Sequence, residues 1–324
     1  MTDKNEDLVE QLIADGISHH DSGDIEQARD YYLQALDLDP HNAKALDLAG
    51  LLCMQCGETE AAKDFYATAI QIEPKNTRYL LHLGILLLEQ NDIRESEVAL
   101  RKVMELDPDH ADARFYIALG MRASNRREDA KVILKAAQEI DRENASYSKW
   151  QGLLSLETGD LVSALEFSNH AIELDAGDVT TFVQLGVILN ALADPELAER
   201  TFRSGLQVDP DDIRCRSGLA ATLIDLDRKE EAQQELDRAT EINGEGHPSL
   251  LSVIALSDSL NNNKTEAREK IEQALDMDSA SLEILLTAYK VMKNIGDDSA
   301  AEKLLEDMQE IAPDDARVME LLLG

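Results

Sequence analysis

Pro40, Pro74 and Pro108 stand 34 residues apart, and Pro210 falls three such periods beyond Pro108. Gly16, Gly50, Gly84, Gly152 and Gly186 keep the same step, with Ala118 and Ala220 in two of the vacant slots. A third series runs Ala28, Ala62, Ser96, Ala130, Ala164, Ala198 and Ala232, then continues one residue out of phase at Ala267 and Ala301. Self-similarity at this period marks stacked supersecondary units, each burying its apolar face against its neighbours and not in a closed globule. A chain built this way is expected to act through a surface and not through a reaction centre.

Residues 43–76 show what one unit is. Asn42 is a good N-cap, and Ala45, Leu46, Ala49, Gly50 and Cys53 recur at helical spacing on one face. Gly57 is placed to end that helix in a left-handed conformation. Equivalent sites carry Gly23, Asn91, Asn125, Gly159, Asp227, Asn262 and Gly296, residue types that tolerate positive φ. A second helix is expected from about Thr59 to Ile72, burying Ala62, Tyr66, Ala69 and Ile70, with Pro74 just beyond its end. Gly50 and Ala62 let the two helices approach closely while Tyr66 fills the space beside them. Each unit reads as an antiparallel helix pair.

The pattern resembles the tetratricopeptide family, whose signature combines a Leu-Gly pair, a later Ala with an aromatic four residues on, and a closing Pro. Here it stands as Leu83-Gly84 and Leu185-Gly186, as Ala28 with Tyr32, Ala62 with Tyr66 and Ala198 with Phe202, and as the prolines above. Nine repeats follow: seven over 9–246, then 248–281 and 282–315 after an extra residue at His247. The resemblance implies an all-α fold, a right-handed superhelical solenoid of antiparallel helix pairs whose first helices line the concave side. Residues 1–8 read as a lead-in, 316–324 as a partial capping helix, and 243–248 as a possible hinge. Asp15, where the third repeat has Leu83, and Ser168, where an aromatic is expected, depart from the pattern.

Within each repeat the second, fifth, sixth, ninth, twelfth and thirteenth residues share the first helix's groove face. The ninth slot reads Ile17, Leu51, Ile85, Leu119, Leu153, Val187, Ala221, Leu256 and Lys290, an apolar seam through eight repeats. The sixth reads Leu48, His82, Tyr116, Trp150 and Gln184 in succession, with Phe115 beside Tyr116. Such a series either packs between neighbouring helices or forms a peptide-binding hot spot; the candidate site takes the second reading. Lys44, Arg78, Arg122 and Lys149 gather near its centre, and Val183 and Asn190 extend it into the sixth repeat. Over these slots seven basic residues face eight acidic ones, so the groove is near neutral and suited to an extended segment carrying some carboxylates. Two sub-family signatures are missing: the Lys/Asn/Arg set that clamps chaperone C-termini, and the asparagine ladder of the N-acetylglucosamine transferase.

The whole chain carries −34, with 65 Asp+Glu against 31 Lys+Arg. That charge disfavours nucleic acid and anionic membrane. The acidic start lacks a secretory pattern and the longest apolar run, Leu83–Leu88, is too short to span a bilayer, so a cytoplasmic location is expected. Cys53-Met-Gln-Cys56 invites a zinc or redox reading, but the one other cysteine is the distant Cys215, and small core residues are the better expectation. No phosphate-binding glycine loop, nucleophile elbow or metal motif stands out, so neither catalysis nor a cofactor or metal is expected. The reading is a non-enzymatic adaptor or scaffold for a protein or peptide partner. Two alternatives remain: a scaffold self-associating through terminal repeats, motivated by Leu321-Leu322-Leu323, and the recruiting arm of a larger transferase.

Overall fold

The computed structural model describes residues 3–244, 246–313 and 315–323. Among these residues there are nineteen helices and no strand. Contacts divide the chain into two compact units, Met1–Arg142 and Glu143–Gly324. In the first unit the pairs are α1 (Asp3–Asp21) with α2 (Ile25–Leu38), α3 (Ala43–Gln55) with α4 (Thr59–Ile72), α5 (Thr77–Glu89) with α6 (Ile93–Leu106), and α7 (Ala111–Ala123) with α8 (Arg127–Ile140). The second holds α9 (Ala145–Glu157) with α10 (Leu161–Leu174), α11 (Val179–Ala191) with α12 (Pro195–Val208), and α13 (Ile213–Asp225) with α14 (Lys229–Asn243). It continues with α15 (Pro248–Leu260) and α16 (Lys264–Met277), α17 (Leu282–Ile295) and α18 (Asp298–Ile311), and the short α19 (Ala316–Leu323).

Each pair packs most closely on itself, and within each unit every second helix then packs on the first helix that follows it. First helices also touch first helices of the next repeat: α3, α5 and α7 in one unit, α9 through α17 in the other. The first helices therefore form a continuous layer within each unit, and that layer is the candidate binding face.

Local sequence explains the boundaries. Asn42, Asn76, His110, Asn144, Asp178 and Asp212, one period apart, each accept a backbone N–H of the first turn that follows. Between the helices of every pair sits one residue at positive φ: Gly23, Gly57, Asn91, Asn125, Gly159, Ala193, Asp227, Asn262 and Gly296. Ala193 is the member that residue type alone does not announce.

The periodic glycines make room for the side chain that follows in the second helix. A Cβ on Gly16 would lie 2.5 Å from Tyr32, one on Gly50 2.7 Å from Tyr66, and one on Gly186 2.5 Å from Phe202 Cε1. Where the slot holds Ala220 in place of glycine, the residue opposite is the smaller Leu236, in the same core cluster. There a larger residue in the slot is matched by a smaller one opposite, as dense packing requires.

The extra residue before the eighth repeat is absorbed without breaking the core. Gly244 caps α14 at φ 60°, His247 caps α15, and Ala220, Leu236, Ala239, Leu250 and Val253 form one cluster across the joint. Glu245, within the segment read as a hinge, lies outside the described residues. At the far end α19 is seated by the fully buried Val318 and by Arg317, which pairs with Asp315 and Glu283.

Candidate partner-binding face

The ninth-slot seam lies at the surface of the first-helix layer in both units. Leu51, Ile85 and Leu119 in the first, and Leu153 and Val187 in the second, are each half-buried, packed at the base and open at the top. Beyond them the seam closes: Leu256 is buried, and Lys290 of α17 pairs with Asp225 of α13 at 3.5 Å, two repeats apart.

The sixth slot is a joint before it is a surface. Its side chain meets the residue of the preceding second helix that faces the periodic glycine. Leu48 shares a core cluster with Tyr32, and His82 lies 5.7 Å from the Tyr66 ring. Gln184 donates to Ser168 Oγ at 3.0 Å, and Gly218 abuts Phe202. At the last two of these steps a larger residue meets a smaller one. Ser168, which leaves the fifth repeat short of an aromatic, is compensated by Gln184, which also donates to the Lys149 carbonyl at 3.1 Å. Leu48, 5 % exposed, is a core residue, which corrects its place among the candidate contacts. His82 and Gln184 show the face only their edges. Phe115 and Tyr116, edge to face at 5.1 Å, are half-buried in the first unit; Trp150 is half-buried in the second.

Most of the basic side chains read as a reception for carboxylates are already committed. Lys149 Nζ pairs with Asp178 at 2.7 Å and reaches Thr180 Oγ1 at 3.4 Å. Burial alone would push Asp178 up, but hydrogen bonds from Lys149 and Thr180 outweigh it and hold the carboxyl down at about 2. Arg214 pairs with Asp212, and Lys293 with Asp298. Arg78 pairs with Asp47 at 2.9 Å. Arg122 is half-buried and Lys44 exposed on this face, while Val183 is half-buried and Asn190 binds Thr222 Oγ1 at 2.9 Å.

Asp47 is the functional candidate that sequence reasoning passed over. It is fully buried, and its Oδ1 meets His82 Nδ1 at 2.6 Å while Arg78 covers its Oδ2. A carboxylate in a slot that holds Ile13, Leu81 and Phe115 in the neighbouring repeats was the available signal.

Cys53 belongs to a core cluster with Ala62, Tyr66 and Leu86, and burial, with Glu58 beside it, pushes its thiol up to about 11. Cys56 is exposed. Among the described residues no group of three or more His, Cys, Asp or Glu is arranged to hold a metal ion, and no helix is long and apolar enough to cross a membrane.

The tetratricopeptide-repeat family model matches residues 19–83, 87–154 and 189–256, more than half of the chain. The protein belongs to the tetratricopeptide-repeat family. Among solved structures it is similar to that of Pseudomonas aeruginosa pilF, with 18% identity and a TM-score of 0.58 over 72% of this chain and 99% of that one. It is also similar to a chain of the APC/C Cut9–Hcn1 hetero-tetramer, with 16% identity and a TM-score of 0.61 over 83% of this chain and 52% of that one. At these identities the likeness is one of fold. A comparison with curated protein sequences finds no match.

Proposed function

We propose that this protein is a non-enzymatic interaction scaffold that works in the cytoplasm and holds an extended peptide or partner helix against its first-helix layer. The observation carrying this reading is the half-buried apolar seam, Leu51, Ile85 and Leu119 in one unit and Leu153 and Val187 in the other. Apolar side chains that recur at one register on an otherwise heavily acidic chain supply what a partner's side chains need in order to leave water. The chain's charge of −34 speaks against a polyanionic partner. The reading needs no cofactor and no metal.

The test is capture of a partner by wild type beside three variants: Ile85→Glu with Leu119→Glu, Val187→Glu, and Tyr116→Ala with Trp150→Ala. Each should retain its far-UV circular dichroism and lose a captured species that wild type retains. Equal yields from all four would overturn the reading.

Self-association is the second reading, favoured by α19, where Met319, Leu322 and Leu323 are exposed, the last at 86 %. Light scattering over a concentration series tests it, and a constant monomer mass would remove it.

A further inference from the structure

Two buried polar atoms of the first unit lack a hydrogen-bond partner among the described residues, and they belong to one joint. One is Tyr66 Oη, the other Asp47 Oδ2. Both residues are 0 % exposed. Gly50 lets the Tyr66 ring lie flat between α3 and α5, beside the imidazole of His82, which in turn holds the other Asp47 oxygen. Leaving a buried hydroxyl such as Tyr66 Oη unpaired costs about 1–3 kcal/mol, and Asp47 Oδ2 beside it has an ion pair with Arg78 but no hydrogen bond, so the joint calls for a function.

The preceding repeat shows that the omission is specific. There Tyr32 Oη meets His20 Nδ1 at 3.3 Å, and His20 Nε2 meets Gln55 at 2.7 Å, which completes the network. One period on, the register of His20 is held by Met54, a poor partner for a hydroxyl.

What covers Asp47 Oδ2 is a removable cation. Arg78 Nε lies 2.9 Å from Asp47 Oδ2 without hydrogen-bond alignment, and its side chain is 50 % exposed. Burial, and then the charge of Asp47 and of Glu89, raises the Tyr66 phenol above its ordinary value. Glu89, exposed at the end of α5, makes no ion pair among the described residues, and neither does Asp21 at the corresponding register of α1. The acceptors left over here, a carboxylate oxygen, a phenolic oxygen and a nearby uncompensated carboxylate, are the set that recognises a positive charge.

We propose that this joint is the seat of a lysine or arginine side chain carried by an extended segment of a protein partner, and that Arg78 fills it internally until that segment binds. The proposal rests on the first-helix layer being the partner-binding face, and it replaces the carboxylate-bearing ligand expected from sequence with a cationic one. The incoming ammonium or guanidinium donates to Asp47 Oδ2 and Tyr66 Oη. Arg78 is released into solvent, half of which it already occupies. Glu89 provides attraction on approach.

The experiment uses the full chain and two fluorescein-labelled probe peptides, one alternating lysine with alanine and one alternating glutamate with alanine, read by fluorescence anisotropy. The lysine peptide should bind more tightly than the glutamate peptide. Arg78→Ala should tighten it about three- to tenfold, as expected for removing a half-exposed competing cation. Asp47→Asn should weaken it at least tenfold. Should Asp47→Asn disturb the fold by circular dichroism, the exposed Glu89→Gln carries the same test with an expected loss of about threefold. Preference for the glutamate peptide, or tighter-binding Arg78→Ala not being seen, overturns the cationic seat while leaving the binding face standing. Binding of neither peptide overturns both.

Discussion

Gln184 of α11 donates its side-chain amide to Ser168 of α10 at 3.0 Å and so fills the space that the Phe202 ring occupies in the next repeat. One repeat later the assignment is reversed, with Phe202 large and Gly218 absent of side chain. The inner joint of each repeat is a shared volume, and the residues on its two sides are complementary. Much of what reads in sequence as a ladder of binding side chains is set by this requirement.

The joint's tolerance can be measured at Gly186. Its Cβ would press on the Phe202 ring, so Gly186→Ala is expected to destabilise the second unit by about 1–3 kcal/mol. Combining it with Phe202→Leu should cost less than the sum of the two single changes, because the pair then resembles Ala220 with Leu236. Urea denaturation of the four proteins checks this. A strictly additive cycle would mean that the two residues do not share a volume.

Ala193 holds φ at 57°, a conformation that a Cβ disfavours by about 1–2 kcal/mol. Ala193→Gly relieves that strain but gives the unfolded chain more freedom. A net stabilisation of about 0.5–1 kcal/mol is expected, seen as a higher urea midpoint with an unchanged slope.

The Asp178 carboxyl sits at about 2 in the folded protein against 3.8 unperturbed. Its folded value is depressed, so the stability it contributes is present above pH 4 or so and is lost as pH falls through the folded value near 2. The pair with Lys149 is partly exposed, which limits the contribution to about 1–2 kcal/mol. Asp178→Asn keeps a capping side chain while removing the charge. Its stability deficit at pH 6 should shrink towards zero as the pH approaches 2, as followed by denaturant titration at each pH.

The three cysteines should separate cleanly by reactivity. Cys56 is exposed, while burial pushes Cys53 up to about 11 and Cys215 up to about 12. Maleimide labelling of the native protein near neutral pH should modify Cys56 alone, and unfolding should release the other two. Labelling of Cys53 at the rate of Cys56 would contradict the packing described for α3.

The helices, their order and nearly all their ends were written in local pattern. The second helix expected from Thr59 to Ile72 is α4, and Asn42 caps α3 as its position implied. Caps, breakers and packing glycines act over one or two turns, so a 34-residue period repeats their physics and makes it visible. Ala193 escaped because its conformation is imposed by the connection it serves and not by its own preference.

The site is a different matter. That Leu48 is buried, that Lys149 belongs to Asp178, and that Asp47 gathers His82 and Arg78 depend on which residue of one repeat meets which of the next. Those partners lie 29 to 35 residues apart, and their pairing follows from side-chain volume and reach in the assembled stack. Periodicity alone determined that this chain is a run of helix pairs. Which charges the first-helix layer still has to offer was decided only when neighbouring repeats met, because a ligand must compete with every ion pair formed within the stack.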